Sequence, residues 1–319
     1  MQHVAMPGDL ATRLDRVLRP VFAVSTPQEI GSHAAGPLAL EGASGTSLLA
    51  CLASVFWSAR RLTGRPSRAR SDTTRTMKNG MTSRLVALCF DANDPLRLAR
   101  FWADALRWEI HDETRDRVCL VPTDDTRFRV LFLRVSEKKT AKGRIHLDLT
   151  TASTHDQTET AGRLIELGAR HVDIGQRPEE PHVVLADPEG NEFCVIEPEN
   201  SFLADCGRLG SITCDGSREV GYFWSEAIGW PLVWDQDEET AIRAPDGTGP
   251  CITWGPLVPR KVTKNRLHFD IAPDHGDQRA EVDRLASLGA TRIDIGQGHV
   301  DRVVMADPDG NEFCVLSAG

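Results

Sequence analysis

Beyond residue 80 the spacing of apolar residues switches repeatedly between two periods. Arg84–Asp91 reads as a β run, and Asp94-Pro95 offers a helix N-cap followed by proline at the first helical position. Leu98, Phe101, Trp102, Ala105 and Leu106 follow at helical spacing, which predicts a helix with one apolar face. Trp108–His111, Arg117–Val121 and Phe128–Arg134 are short runs divided by polar turns and predict three strands. The same order then starts again. Arg144–Thr150 is a strand, Ala161, Leu164 and Ile165 mark a helix face that Gly168 stops, and His171–Ile174, His182–Ala186 and Glu192–Glu197 are strands. A later stretch repeats both units, with Val220, Phe223, Trp224 and Ala227 in its first helix and Val282, Leu285 and Ala286 in its second, before Gly289.

The residues repeat as well as the pattern. Ala186-Asp-Pro-Glu-Gly-Asn-Glu-Phe-Cys-Val195 recurs as Ala306-Asp-Pro-Asp-Gly-Asn-Glu-Phe-Cys-Val315. Leu167-Gly-Ala-Arg-His-Val-Asp-Ile-Gly-Gln176 recurs from Leu288 to Gln297, Arg144-Ile-His-Leu-Asp-Leu149 from Arg266 to Ile271, and Phe101–Trp108 from Phe223 to Trp230. Four blocks in one order indicate duplication of a module of about 120 residues, which is too long for a solenoid repeat, so each copy is a domain. The expected domains are 81–199 and 203–319, each a pair of βαβββ units curving around a cleft, in the α+β class. Such a cleft is the default ligand site.

Charge separates the rest of the chain from these modules. The 319 residues carry a net charge of −9, yet residues 1–80 hold ten Lys and Arg against five Asp and Glu, while the remainder holds 27 against 41. An acidic pair of modules argues against nucleic acid as a partner. Residues 1–80 are read as a disordered or mis-assigned N-terminal extension, with translation starting at Met77 or Met81. The apolar run Leu48–Trp57 is about half a membrane span and starts too late for a signal peptide, so no membrane partner is expected. None of the eight cysteines stands in a C-x-x-C pair or a zinc-like spacing, which reads as reduced thiols in a cytoplasmic protein.

The A-D-P-[ED]-G-N-E-F-C-V endings, the L-G-A…D-I-G-Q blocks and the H-[LF]-D strands resemble the vicinal oxygen chelate superfamily, and in particular its glyoxalase-like domains. The resemblance covers about 84–198 and 208–317. It implies two tandem modules pairing as an intramolecular pseudo-dimer. The superfamily spans metal-dependent isomerases and lyases, dioxygenases, epimerases, antibiotic-modifying transferases and drug-sequestering proteins, so fold alone narrows function little.

The resemblance also implies metal ligands on four cleft strands. In this sequence the first falls near Ala87 and on 209–215, without a His at either, and the second near Val130–Arg134 and Cys251–Trp254, neither of which offers a carboxylate or imidazole. His146 and His268 match the third, and Cys194 and Cys314 stand where the fourth would be Glu. One His and one Cys per module fall short of a divalent site, so no metal and no cofactor are expected. Strand alternation sets His146 with Asp148, and His268 with Asp270, on one face. The ligand-binding candidates are therefore His146, Asp148, Cys194, His268, Asp270 and Cys314. Trp254 is added as a residue that could line the second cleft, and Arg144 and Arg266 as part of a basic rim with Lys138, Lys139, Lys142, Arg260, Lys261 and Lys264. The first functional reading is binding of a small, partly apolar and anionic metabolite or drug. The alternative is a lyase, isomerase or epimerase that moves protons with the cleft His and Asp, with or without a recruited metal.

Overall fold

The computed structural model describes residues 82–255, 261, 263–296 and 301–317. The readings made for residues 1–80, including the start at Met77 or Met81, lie outside the described residues, as does Arg260. Four βαβββ units follow one another. The first comprises β1 (Ser83–Ala92), α1 (Pro95–Leu106), β2 (Glu109–Glu113), β3 (Arg117–Val121) and β4 (Arg129–Arg134). The second comprises β5 (Ile145–Leu149), α2 (Thr154–Glu166), β6 (Arg170–His171), β7 (Val183–Ala186) and β8 (Glu192–Val195). The third runs through β9 (Leu209–Asp215), α3 (Arg218–Ile228), β10 (Leu232–Gln236), β11 (Glu239–Ile242) and β12 (Cys251–Gly255). The fourth runs through β13 (Leu267–Pro273), α4 (Gln278–Ser287), β14 (Thr291–Arg292), β15 (Arg302–Ala306) and β16 (Glu312–Leu316).

Two eight-stranded mixed sheets result, ordered β14-β15-β16-β13-β1-β4-β3-β2 and β10-β11-β12-β9-β5-β8-β7-β6. Each sheet takes one unit from each module. The seams are antiparallel: Cys89 of β1 faces His268 of β13, and His146 of β5 faces Thr213 of β9. Two modules thus pair within one chain, and every cleft is shared between them.

Within a module, the repeated motifs lock one unit to the next. Asp94 caps α1 by accepting from the Arg97 amide, with Pro95 in the first turn. The Asp of each Asp-Pro turn is buried and accepts the indole N–H of the module's first helix: Trp102 Nε1 to Asp187 at 3.1 Å, and Trp224 Nε1 to Asp307 at 3.2 Å. Two residues further on, Glu189 accepts the amides of Asn93 and Asp94, and Asp309 accepts that of Ser217. An anion there meets the positive end of α1 or α3. The acidic position of the turn is therefore a helix cap. Trp102 packs against Phe193, and Trp224 against Phe313, in one core that lies on the helix side of both sheets.

One strand differs from expectation. His171–Ile174 is paired only over Arg170–His171, because Gln176 Oε1 takes the Ile174 amide and Asp173 takes that of Gly175, which turns the chain out of the sheet.

Candidate functional site

The first cleft lies on the face of the first sheet opposite the helices. Phe90, Leu88 and Phe269 point into the core, so alternation sends Cys89, His268 and Asp270 the other way. Asp270 pairs in register with Ala87 on one side and Cys314 on the other. One ligand atom each from Cys89, His268 and Asp270 lies within 4.8 Å of the others. His268 Nε2 stands 3.5 Å from Asp270 Oδ1, an ion-pair distance without hydrogen-bond geometry. Both His268 ring nitrogens and Asp270 Oδ1 are buried without a hydrogen-bond partner. Burial pushes the Asp270 carboxyl up, but His268 and the Cys89 thiol more than reverse it, leaving the group below its usual range. Burial, with Asp270 beside them, raises the Cys89 thiol well above its ordinary value and Cys314 to about 12.

A cavity of about 510 Å³ opens onto Asp270. Arg117, Arg129, His111, Asp112 and Cys119 contribute its polar lining, and Val86, Leu131 and Leu316 its apolar lining. Arg117 is ion-paired to Asp112 at 2.5 Å. Burial raises the Cys119 thiol, while Arg129 and Arg117 pull it down in part. The lining is amphipathic, with two guanidinium groups beside a buried carboxylate.

The second cleft has the same plan and a different state. His146 Nε2 lies 3.4 Å from Asp148 Oδ1, with Cys194 alongside. Here Asp148 Oδ2 accepts Ser211 Oγ at 2.5 Å and Thr213 Oγ1 at 2.7 Å, and Thr253 Oγ1 donates to Thr213 at 3.0 Å. The inter-module linker also lies on this face. Leu203 is buried with Val184, Cys194 and Ile196, Phe202 and Cys206 pack against that group, and the Phe202 ring meets Trp234 edge-on at 6.0 Å. The carboxylate of the second cleft is satisfied by hydroxyls and the linker packs beside it, whereas Oδ1 of Asp270 in the first is unpaired.

The structure brings His146 together with Asp148 and Cys194, and His268 with Asp270 and Cys314. It does not bring Trp254 to the cleft. Trp254 alternates with Thr253 on β12, so its ring falls on the helix side, where it is buried and stacks on Trp224 at 6.4 Å. Five members of the expected basic rim are instead tied into ion pairs or hydrogen bonds. Arg266 donates to Glu189 and the Glu137 carbonyl, and Arg144 donates to the Asp215 carbonyl, both across the seam between modules. Lys139 pairs with Glu192, Lys261 with Glu312 and Lys264 with Asp91. Cys89, Ser211, Thr213, Arg117 and Arg129 were not singled out from the sequence. Alternation along β1 and β9 marks their face, but only the seam register shows which histidine they meet.

The sequence signature described as Glyoxalase-like domain matches residues 87–196 and 211–316, more than half of the chain and both modules. The chain belongs to this family. Among characterised relatives, Glyoxalase 1 of Caenorhabditis briggsae is 25% identical over 145 residues, covering 42% of this chain and 49% of that protein. Glyoxalase 1 of Caenorhabditis elegans is 24% identical over the same length, with the same coverage. This glyoxalase-like chain thus spans about half the length of these relatives. Glyoxalase I from Zea mays shares the fold, with a TM-score of 0.51 and 15% identity over 74% of this chain and 92% of that one. A mutant form of the same maize protein aligns with a TM-score of 0.52 over 74% and 94%.

The four strand positions at which the resemblance implies metal ligands can now be placed. In the first cleft of this glyoxalase-like protein they fall at Ala87 or Cys89, at Arg129 or Leu131, at His268 and at Cys314. In the second they fall at Ser211 or Thr213, at Cys251 or Thr253, at His146 and at Cys194. An arginine where an anionic ligand would stand repels a cation, and Leu131 has no donor. The usual oxygen-and-imidazole set is incomplete in both clefts. A different trio, Cys89, His268 and Asp270, offers the thiolate, imidazole and carboxylate donors that suit a borderline-soft ion such as zinc.

Proposed function

We propose that this glyoxalase-like protein binds a small, partly apolar anion in its first cleft, without the four-ligand metal set of its metal-dependent relatives. One observation carries the reading: Asp270, whose Oδ1 is buried without a hydrogen-bond partner, lines a 510 Å³ cavity whose wall holds Arg117 and Arg129, and the unpaired His268 ring stands behind it. Buried polar atoms left unpaired cost about 1–3 kcal/mol each, so a ligand that donates to Asp270 Oδ1 recovers that energy on binding. The guanidinium of Arg129 gives a charge-assisted bond to a carboxylate or phosphate, and Leu131 and Leu316 cover an apolar remainder.

The test is calorimetric titration with a panel of aromatic and short-chain carboxylates and phosphate monoesters. Arg129→Gln is expected to weaken any hit by about ten- to a hundredfold, the loss of one charged hydrogen bond. His268→Gln is expected to weaken it as well. Hits that both variants retain at full affinity overturn the assignment of the cleft.

A second reading has its own support in the Cys89–His268–Asp270 trio. There the three residues would hold a divalent ion, which would supply Lewis acidity to a lyase, isomerase or epimerase reaction. Equilibrium dialysis against zinc separates the two. One zinc per chain, lost in both Cys89→Ser and His268→Ala, supports the metal reading, and no retained zinc supports the first.

A further inference from the structure

We propose that Cys206 and Cys251 form a reversible disulfide that fastens the inter-module linker over the second cleft. The proposal is independent of what the first cleft binds.

Cys251 stands on β12, on the cleft face with Thr253, and Cys206 on the linker that crosses that face. Their sulfurs are 4.0 Å apart. A closure of about 2 Å brings them to bonding distance, and Cys206 lies in a loop outside the sheet that carries Cys251. The neighbourhood selects this pair. Among the described cysteines, Cys206 is the one that is not buried. The contact with Cys251 lowers the Cys206 thiol to about 7 against the pull of burial, with Arg243 assisting, while Cys251 itself is raised. A thiolate at the solvent edge with a protonated thiol beside it is the arrangement of an attacking and a resolving cysteine. The other cleft thiols, Cys89, Cys194 and Cys314, are raised by burial and stay protonated.

The step balances with a hydroperoxide as oxidant. The Cys206 thiolate attacks the terminal peroxide oxygen, the O–O bond breaks, and the alkoxide leaves as an alcohol once protonated, giving a sulfenic acid. Cys251 then attacks the Cys206 sulfur. The S–S bond forms, and the sulfenic oxygen leaves as water with the Cys251 proton. Two thiols lose two electrons, and the peroxide is reduced to alcohol and water. A dithiol reverses the bond by exchange.

The linker gives the bond its consequence. Phe202 and Leu203 already lie against Trp234, Cys194 and Val184, and Asp205 is held through its carbonyl by Arg243. A covalent tie at Cys206 holds them there.

The experiment uses the full chain, treated with a small molar excess of hydrogen peroxide and then alkylated, digested and mapped by mass spectrometry. The expected product is a Cys206–Cys251 crosslink, leaving the chain about 2 Da lighter and restored by a dithiol. Cys206→Ser and Cys251→Ser each abolish it, and Cys89→Ser leaves it intact. Limited proteolysis after Arg208 or within 199–207 reads the lock, and oxidation is expected to slow cleavage at least fivefold in the parent chain and not in either variant. Cys206 accumulating as sulfinic acid with Cys251 still free overturns the disulfide. A crosslink that leaves the cleavage rate unchanged overturns the lock.

Discussion

At the scale of single residues, the two clefts show how one backbone supports two chemistries. Asp148 and Asp270 occupy equivalent places, but Asp148 is satisfied by two hydroxyls that the other seam lacks: Ser211 and Thr213 stand where the first seam has Ala87 and Cys89. The difference has a pH signature. Burial would lower His146, but the charge and hydrogen bond of Asp148, with Cys194, raise it well above its ordinary 6.5. Burial would raise Asp148, but His146, Ser211 and Thr213 bring it below its ordinary 3.8. A raised histidine stabilises the fold in full below 6.5 and loses that contribution as pH climbs through its folded value. A lowered carboxyl contributes above 3.8 and loses its share as pH falls through its folded value. The pair is therefore at full strength between these two values and weakens on the alkaline side. Urea denaturation across the alkaline range is expected to show a decline that His146→Gln flattens; an identical slope in that variant would remove the pair from the account.

Much of this was legible beforehand. Period-two alternation places His and Asp together on β5 and β13, and it would have placed Trp254 correctly had the parity of Cys251 and Thr253 been followed along β12. What could not be read is the company these residues keep. Cys89 meets His268 across 179 positions of chain, and Arg129 reaches the same cleft from a third strand, because the register of a seam is set by tertiary packing and not by local pattern.

At the scale of elements, the repeated motifs divide into joints and surfaces. The Asp-Pro-acid-Gly turn joins units, since its Asp holds the helix tryptophan and its acid caps the same helix. Asp187→Ala leaves the Trp102 indole and the Glu189 and Asn191 amides without their acceptor and is expected to cost about 2–4 kcal/mol in chemical denaturation. Trp102→Phe should then cost less in that background than in the parent chain, because its unpaired donor goes with it and only the lost packing volume remains. Gly221 marks another joint. It lies where α3 presses on β11, and a Cβ there would run into the Thr240 side chain. Gly221→Ala is expected to cost about 1–3 kcal/mol, the usual range for overpacking, although alanine is the better helix former. The unit boundaries and helix caps were readable because they are local. The two-residue β6 was not, because side chains of Asp173 and Gln176 take amides that alternation assigns to the sheet.

At the scale of the whole molecule, the modules are repeats in sequence but not separable bodies. Each sheet crosses from one to the other, so either module alone exposes the long edges of β1 and β5 or of β9 and β13. Residues 82–199 produced alone are expected to run as a dimer or larger species in size-exclusion chromatography. Mixing with 203–317 should yield a one-to-one heterodimer. A stable monomer of either half would show that the exchanged sheets are not what holds the fold.

A chain that joins two like copies needs one joint, and one joint cannot serve two places. Segment 196–208, which joins the two modules, leads out of β8 and packs on the face of the cleft that β8 helps to form. Fusion by itself therefore makes the two clefts unlike. The pocket beside the splice has Leu203 and Phe202 of the joining segment against its wall, while Asp270 of its twin faces a cavity. Arg129 stands in the first pocket where Cys251 stands in the second, as two sister sites released from having to remain the same.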